Sequence, residues 1–216
     1  MRVAIIDYGS GNLCSAAKAF EHAAHNHLHQ HDVIVTSKAE DVLNADKIVL
    51  PGVGAFADCR QGLQAVEGME DALQEAVINK GRPFFGICVG MQLLATRGLE
   101  FKQSEGLDWI GGDVTAMKPS DPTLKIPHMG WNTINQSQQH PVLEGIETGE
   151  NGLHAYFVHS YHFAVANAAH QIASFDYSGT FTAMIGRDNI IGTQFHPEKS
   201  QKLGLQLISN FLSWAP

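Results

Sequence analysis

The sequence predicts a three-layer α/β domain with a mixed, mostly parallel sheet and an antiparallel extension, and three observations carry that reading. Short apolar runs alternate with helix-length segments through the first half of the chain. After about residue 108 the texture changes to short β-prone runs separated by turn residues. A leucine-rich segment at helical spacing, Gln201–Trp214, closes the chain.

The elements follow in order. Arg2–Asp7 is an apolar run entering Tyr8-Gly9-Ser10-Gly11, the pattern of a buried parallel strand meeting a turn. Asn12–Ala24 has helical length and spacing. Asp32–Thr36, Lys47–Leu50 and Pro83–Cys88 repeat the strand signal. Asp58–Lys80, rich in Ala, Leu, Gln and Glu and stopped by Gly81, predicts a helix between the last two. Strand and helix alternating in this way imply right-handed crossovers and a sheet covered on both faces. Gly112–Lys118, His128–Asn135, Ala155–Phe163, Gln171–Tyr177, Phe181–Arg187 and Ile190–Phe195 predict a meander that adds antiparallel strands. No internal repeat or linker interrupts the pattern, so residues 1–216 are expected to form one domain.

Composition narrows the function. The 216 residues are 44% hydrophobic and 17% charged, an ordinary globular balance that argues against disorder. Fourteen Lys and Arg against 22 Asp and Glu give a net charge of −8, which opposes binding to nucleic acid or anionic lipid. No apolar run approaches the ~20 residues of a membrane span, and Asp7 ends the first apolar run too early for a signal peptide. Cys14, Cys59 and Cys88 are odd in number and lack disulfide or zinc spacing. A reduced, cytoplasmic protein without a metal or cofactor is expected.

The most informative stretch is Pro83-Phe84-Phe85-Gly86-Ile87-Cys88-Val89-Gly90-Met91-Gln92. An apolar strand runs straight into a cysteine at a strand-to-helix turn, on the carboxyl edge where open α/β sheets bind ligands. Gly86 and Gly90 allow close backbone approach, and the helix N-terminus after Cys88 favours a thiolate. This is a nucleophile elbow with sulfur as the attacking atom; a buried structural cysteine is the competing reading. Cys14 and Cys59 lie in helix-like stretches and read as structural. Gln194-Phe195-His196-Pro197-Glu198 supplies a base and an orienter. Pro197 biases His196 toward an extended conformation, which puts His196 and Glu198 on one face. The carboxylate can then hold one imidazole nitrogen and leave the other for proton transfer; a chance surface pair is the alternative. Ile48-Val49-Leu50-Pro51-Gly52-Val53-Gly54 is a strand with a proline–glycine turn. The backbone amide of Val53 or Gly54, together with that of Val89, could form an oxyanion hole, although an ordinary strand-ending turn fits the same spacing.

Together these segments resemble the triad-type class I glutamine amidotransferases, and within them the glutaminase subunits of imidazole glycerol phosphate synthases. The residues that carry the resemblance are Asp7–Leu13, Pro51–Phe56, Gly86–Leu94, Pro127-His128-Met129-Gly130-Trp131-Asn132, Tyr156-Phe157-Val158-His159-Ser160-Tyr161 and Gln194–Ser200. The resemblance implies a flavodoxin-like fold and hydrolysis of glutamine through Cys88, His196 and Glu198 by way of a glutamyl thioester. It implies backbone donors at Val53 and Val89, and substrate contacts at Gly54, Gln92, Glu100, His159, Ser160 and Tyr161. It further implies a heterodimer with a (β/α)8-barrel cyclase subunit, which receives the ammonia and makes imidazole glycerol phosphate and aminoimidazole carboxamide ribotide in histidine biosynthesis. Asn12, Trp131 and Lys199 are then expected at the partner interface. Thr96-Arg97-Gly98-Leu99, before Glu100, departs from the more acidic, serine-containing version of the pattern.

Three other readings stand beside this one. They are a free-standing cysteine hydrolase or peptidase, a glutaminase subunit for purine or pyridoxal phosphate synthesis, and a metal-buffering scaffold built on His22, His25, His27, His29 and His31. The histidine run reads more simply as a solvated helix end and loop.

Overall fold

The computed structural model describes residues 1–25 and 32–216. Its first half runs β1 (Arg2–Ile6), α1 (Leu13–His25), β2 (Asp32–Thr36), α2 (Ala39–Asn44), β3 (Lys47–Gly52), α3 (Phe56–Ala65), α4 (Met69–Leu73), β4 (Phe84–Cys88) and α5 (Val89–Gln92). The second half adds β5 (Arg97–Gly98), β6 (Ser104–Glu105), β7 (Gly112–Ala116), β8 (His128–Thr133), β9 (Asn135–Gln136), β10 (His154–His159), β11 (Tyr161–Val165), β12 (Gln171–Asp176), β13 (Thr180–Arg187), β14 (Ile190–Thr193) and α6 (Gln201–Ser213).

Eight strands form the central sheet in the order β2-β1-β3-β4-β14-β13-β12-β9. The β2-β1-β3-β4-β14 part is parallel, and β13, β12 and β9 continue it antiparallel. The apolar runs are the inner strands: Val3–Ile6, Ile48–Leu50 and Phe84–Phe85 are fully buried, as a sheet covered on both faces requires. From β1 the chain crosses one way to β2 and then back past β1 to β3. Right-handed crossovers therefore place α1 on one face and α2, α3 and α4 on the other. The packing agrees, since α1 lies against α6 and α2 against α4. Phe20 of α1, Phe85 of β4 and Phe211 of α6 bury their rings together, with centroids 5.2 to 6.3 Å apart. Each such ring contributes about 2–3 kcal/mol by leaving water.

Strand order reverses between β1 and β3, and the carboxyl edge at such a switch point is where open α/β sheets bind ligands. Asp7–Ser10, Pro51–Gly54 and Cys88 all emerge at that edge.

Two stretches differ from expectation. The Asp58–Lys80 helix is broken between α3 and α4, where Gly68 adopts a left-handed φ of 69°, and α4 runs on into a π-helical turn over Gln74–Asn79. The meander is divided: β12, β13 and β14 join the central sheet, while β10 pairs with β8 and β11 joins β7, β5 and β6 in two smaller sheets. The Ala155–Phe163 run changes sheet at Ser160, so one apolar run becomes two strands. Among the described residues no helix is long and apolar enough to cross a membrane.

Candidate active site

Cys88 ends β4 with φ 54° and ψ −112°, in the left-handed half of backbone space. A non-glycine residue held there stores strain that the surrounding packing must sustain. The packing is tight: a Cβ on Gly90 would fall inside the Leu50 carbonyl, so only glycine lets α5 lie against β3. Cys88 is 4% exposed and lines a cavity of about 500 Å³.

His196 reaches the same cavity from the loop after β14. Its Nδ1 lies 2.8 Å from Glu198 Oε1, with both side chains buried. The backbone holds this loop in place, because His196 N–H donates to the Tyr156 carbonyl at 3.0 Å and Ser200 Oγ donates to the His196 carbonyl at 2.6 Å. Burial works against a charge on His196. Its interactions with the Cys88 sulfur and the Glu198 carboxylate outweigh that penalty and hold its pKa up to about 10.

The other expected residues lie as follows. Val53, Gly54, Val89, Gln92, Glu100, His159, Ser160 and Tyr161 all line the cavity. Phe101, Pro127 and Val158 line it as well; Pro127 and Val158 lie in segments that carry the resemblance but were not expected as site residues, and nothing in the sequence context of Phe101 set it apart. Glu100 has a second engagement, since its Oε2 accepts the Phe56 N–H at 2.8 Å at the start of α3. His159 Nδ1 sits 2.8 Å from the Tyr161 carbonyl; a carbonyl only accepts, so Nδ1 carries the proton. Burial drives the His159 pKa down to about 3, and the ring is neutral.

The backbone N–H and carbonyl of Val53 are bonded to residues outside the cavity lining. Its N–H donates to Ser10 Oγ at 3.1 Å, and its carbonyl accepts from Ser10 Oγ at 2.6 Å and from Cys59 Sγ at 3.3 Å. Burial pushes the Cys59 thiol pKa up, which suits a protonated donor and agrees with a structural role. Cys14 is exposed on α1.

Of the residues expected at a partner interface, Trp131 is 46% exposed, too open for core packing, and stands edge-on to Tyr156 with centroids 5.6 Å apart. Lys199 Nζ lies over the Tyr156 ring, 5.7 Å from its centroid. Asn12 is half-buried just before α1, where its carbonyl accepts the Ala16 N–H. His22 and His25 lie exposed on the last turns of α1; His27, His29 and His31 are outside the described residues. Among the described residues, no group of three or more His, Cys, Asp or Glu is placed to hold a metal ion.

The sequence and the fold match a known class. The sequence model of the class-I glutamine amidotransferase family matches residues 4–214, and the chain belongs to that family. Its relatives include proteins named imidazole glycerol phosphate synthase subunit HisH. The one from Rhizobium meliloti is 62% identical and the one from Rhodopseudomonas palustris 59% identical, in each case over all of both chains. A crystal structure of a glutamine amidotransferase shares the fold with a TM-score of 0.71 at 15% identity, covering 98% of this chain and 97% of its own. A glutamine amidotransferase from Thermotoga maritima does so with a TM-score of 0.58 at 17% identity, covering 92% of this chain and 76% of its own.

Proposed function

We propose that this chain is the glutaminase subunit of an imidazole glycerol phosphate synthase, and that residues 1–216 act as one glutamine amidotransferase domain in histidine biosynthesis. The observation that carries the reading is a strained cysteine sharing one cavity with a carboxylate-held histidine. Relatives of 59–62% identity over the full chain bear that subunit's name.

In this reading Cys88, as thiolate beside protonated His196, attacks the side-chain amide carbon of glutamine. The tetrahedral oxyanion is met by the Val89 amide and by a donor from the Pro51–Gly54 loop. His196 gives its proton to the departing nitrogen, ammonia leaves, and a glutamyl thioester remains on Cys88. Water then attacks the thioester carbonyl and loses its proton to His196, glutamate departs and the thiolate returns. Glu198 orients the imidazole and stabilises its charge throughout. Gly54, Gln92, Glu100, His159, Ser160 and Tyr161 hold the substrate. The ammonia passes to a (β/α)8-barrel cyclase partner docked near Asn12, Trp131 and Lys199. Since the Val53 N–H is bonded to Ser10 Oγ, that amide serves the oxyanion only after the loop turns, and partner binding is the event proposed to turn it.

The chemistry is tested by quenching the protein during turnover of glutamine and weighing it. A mass gain of one glutamyl group on the Cys88 peptide, absent from Cys88→Ala, is expected. Steady glutamate release by Cys88→Ala would refute the reading.

A further inference from the structure

Gln194 is fully buried, two residues before His196, and has no part in the mechanism above. Its amide is the middle of a chain of hydrogen bonds that ends on the nucleophile. Gln92 Nε2 donates to the Tyr161 carbonyl at 3.1 Å and to Gln194 Oε1 at 3.1 Å, and Gln194 Nε2 lies 3.8 Å from Cys88 Sγ.

The direction of this chain is fixed at its far end. A backbone carbonyl only accepts, so the Gln92 atom facing Tyr161 must be its NH2. That same NH2 faces Gln194, which must then present its oxygen to Gln92. Its own NH2 is left turned toward sulfur. The main chain that carries this side chain is itself anchored, the Gln194 N–H donating to the Ala183 carbonyl at 2.8 Å. An N–H donor in a buried site stabilises negative charge on its acceptor and does nothing comparable for a neutral thiol.

We infer that Gln194 is a catalytic residue of this site: its Nε2–H group, aimed by Gln92 and the Tyr161 carbonyl, donates to the Cys88 sulfur and favours its anionic form. The inference rests on Cys88 being the nucleophile proposed above. It also gives Gln92 a second task, since replacing Gln92 frees the Gln194 amide to turn over.

The test is peptide-resolved alkylation of Cys88 by iodoacetamide across pH, in which the thiolate forms an S–C bond and iodide leaves. No glutamine is involved, so a wrong assignment of substrate leaves this measurement readable. Gln194→Glu keeps the acceptor for Gln92 and sets a carboxylate oxygen against sulfur. Its alkylation profile is expected to move to higher pH, with roughly tenfold slower reaction at pH 7. Gln194→Met removes the donor at similar volume and should move the profile in the same direction by less. In the native chain, the side-chain amide proton of Gln194 should shift in the NMR spectrum when Cys88 is replaced by Ala. Unmoved alkylation profiles in the folded variants would overturn the inference. So would a Gln194 amide resonance indifferent to Cys88, which decides the matter should both variants fail to fold.

Discussion

The two walls of the cavity are built differently. On one side Cys88 is buried at the end of a central strand, strained, and locked by a helix that can approach only through Gly90. On the other, Val53 is 42% exposed on a turn between two glycines, and its peptide is held by one serine and one cysteine side chain. In the proposed mechanism nucleophile and base are set before substrate arrives, whereas the Val53 N–H is bonded to Ser10 Oγ. The contrast teaches that a site can store its reactive group in rigid packing and leave its charge-stabilising group on a hinge.

The comparison can be broken at the rigid wall with the largest effects. Cys88→Ala should cut glutamate release by about 10⁴-fold or more, measured with saturating glutamine. Glu198→Gln should reduce kcat by about 10²- to 10⁴-fold with a smaller change in KM, because it removes the charge that keeps the imidazole protonated and oriented; an unchanged kcat would detach Glu198 from catalysis. Gly90→Ala should cost about 3 kcal/mol in urea unfolding, since the new methyl group meets the Leu50 backbone, which cannot yield as a side chain would.

The histidines sharpen the contrast through pH. His128, stacked on Phe175 and 4.2 Å from the Tyr177 centroid, is held down to about 4 by burial, and His159 down to about 3. Both folded values lie below the ordinary 6.5, so the unfolded chain binds protons first on acidification. Their contribution to stability is present above pH 6.5 and drains as the pH falls toward 4. His128→Phe should flatten this slope by up to about 1.4 kcal/mol per pH unit, read from urea midpoints at pH 7, 6 and 5; an unaltered slope would exclude His128. His196 has the opposite sign, with its contribution present below pH 6.5 and lost as the pH rises through about 10.

At the hinged wall the effect is smaller. Ser10→Ala frees the Val53 peptide from one hydroxyl. It should raise glutaminase turnover of the isolated chain by about 2- to 10-fold, the worth of a typical hydrogen bond. A fall would show that Ser10 supports the active loop instead.

The rigid wall was the legible one. An apolar run ending in Cys-x-Gly determines both the strand and the turn that presents the thiol, and Pro197 sets the extended backbone at His196; these are short-range constraints written in neighbouring residues. The parallel half of the sheet was legible for the same reason. What escaped depends on distance along the chain. The Ser10–Val53 pairing joins residues 43 apart, and Gln194 meets Gln92 across 102. The change of sheet at Ser160 follows from which partner strands are free, a property of the finished sheet. Gly68 was visible as a glycine inside a helical pattern, but its left-handed φ was not.

The central claim is that the nucleophile stands ready while the oxyanion loop waits. The direct test is glutamate release by the isolated chain, compared with the same chain bound to a (β/α)8-barrel cyclase carrying its nucleotide ligand. The account predicts stimulation by about 10²- to 10³-fold, the worth of one oxyanion donor. Equal turnover in the two states would contradict it.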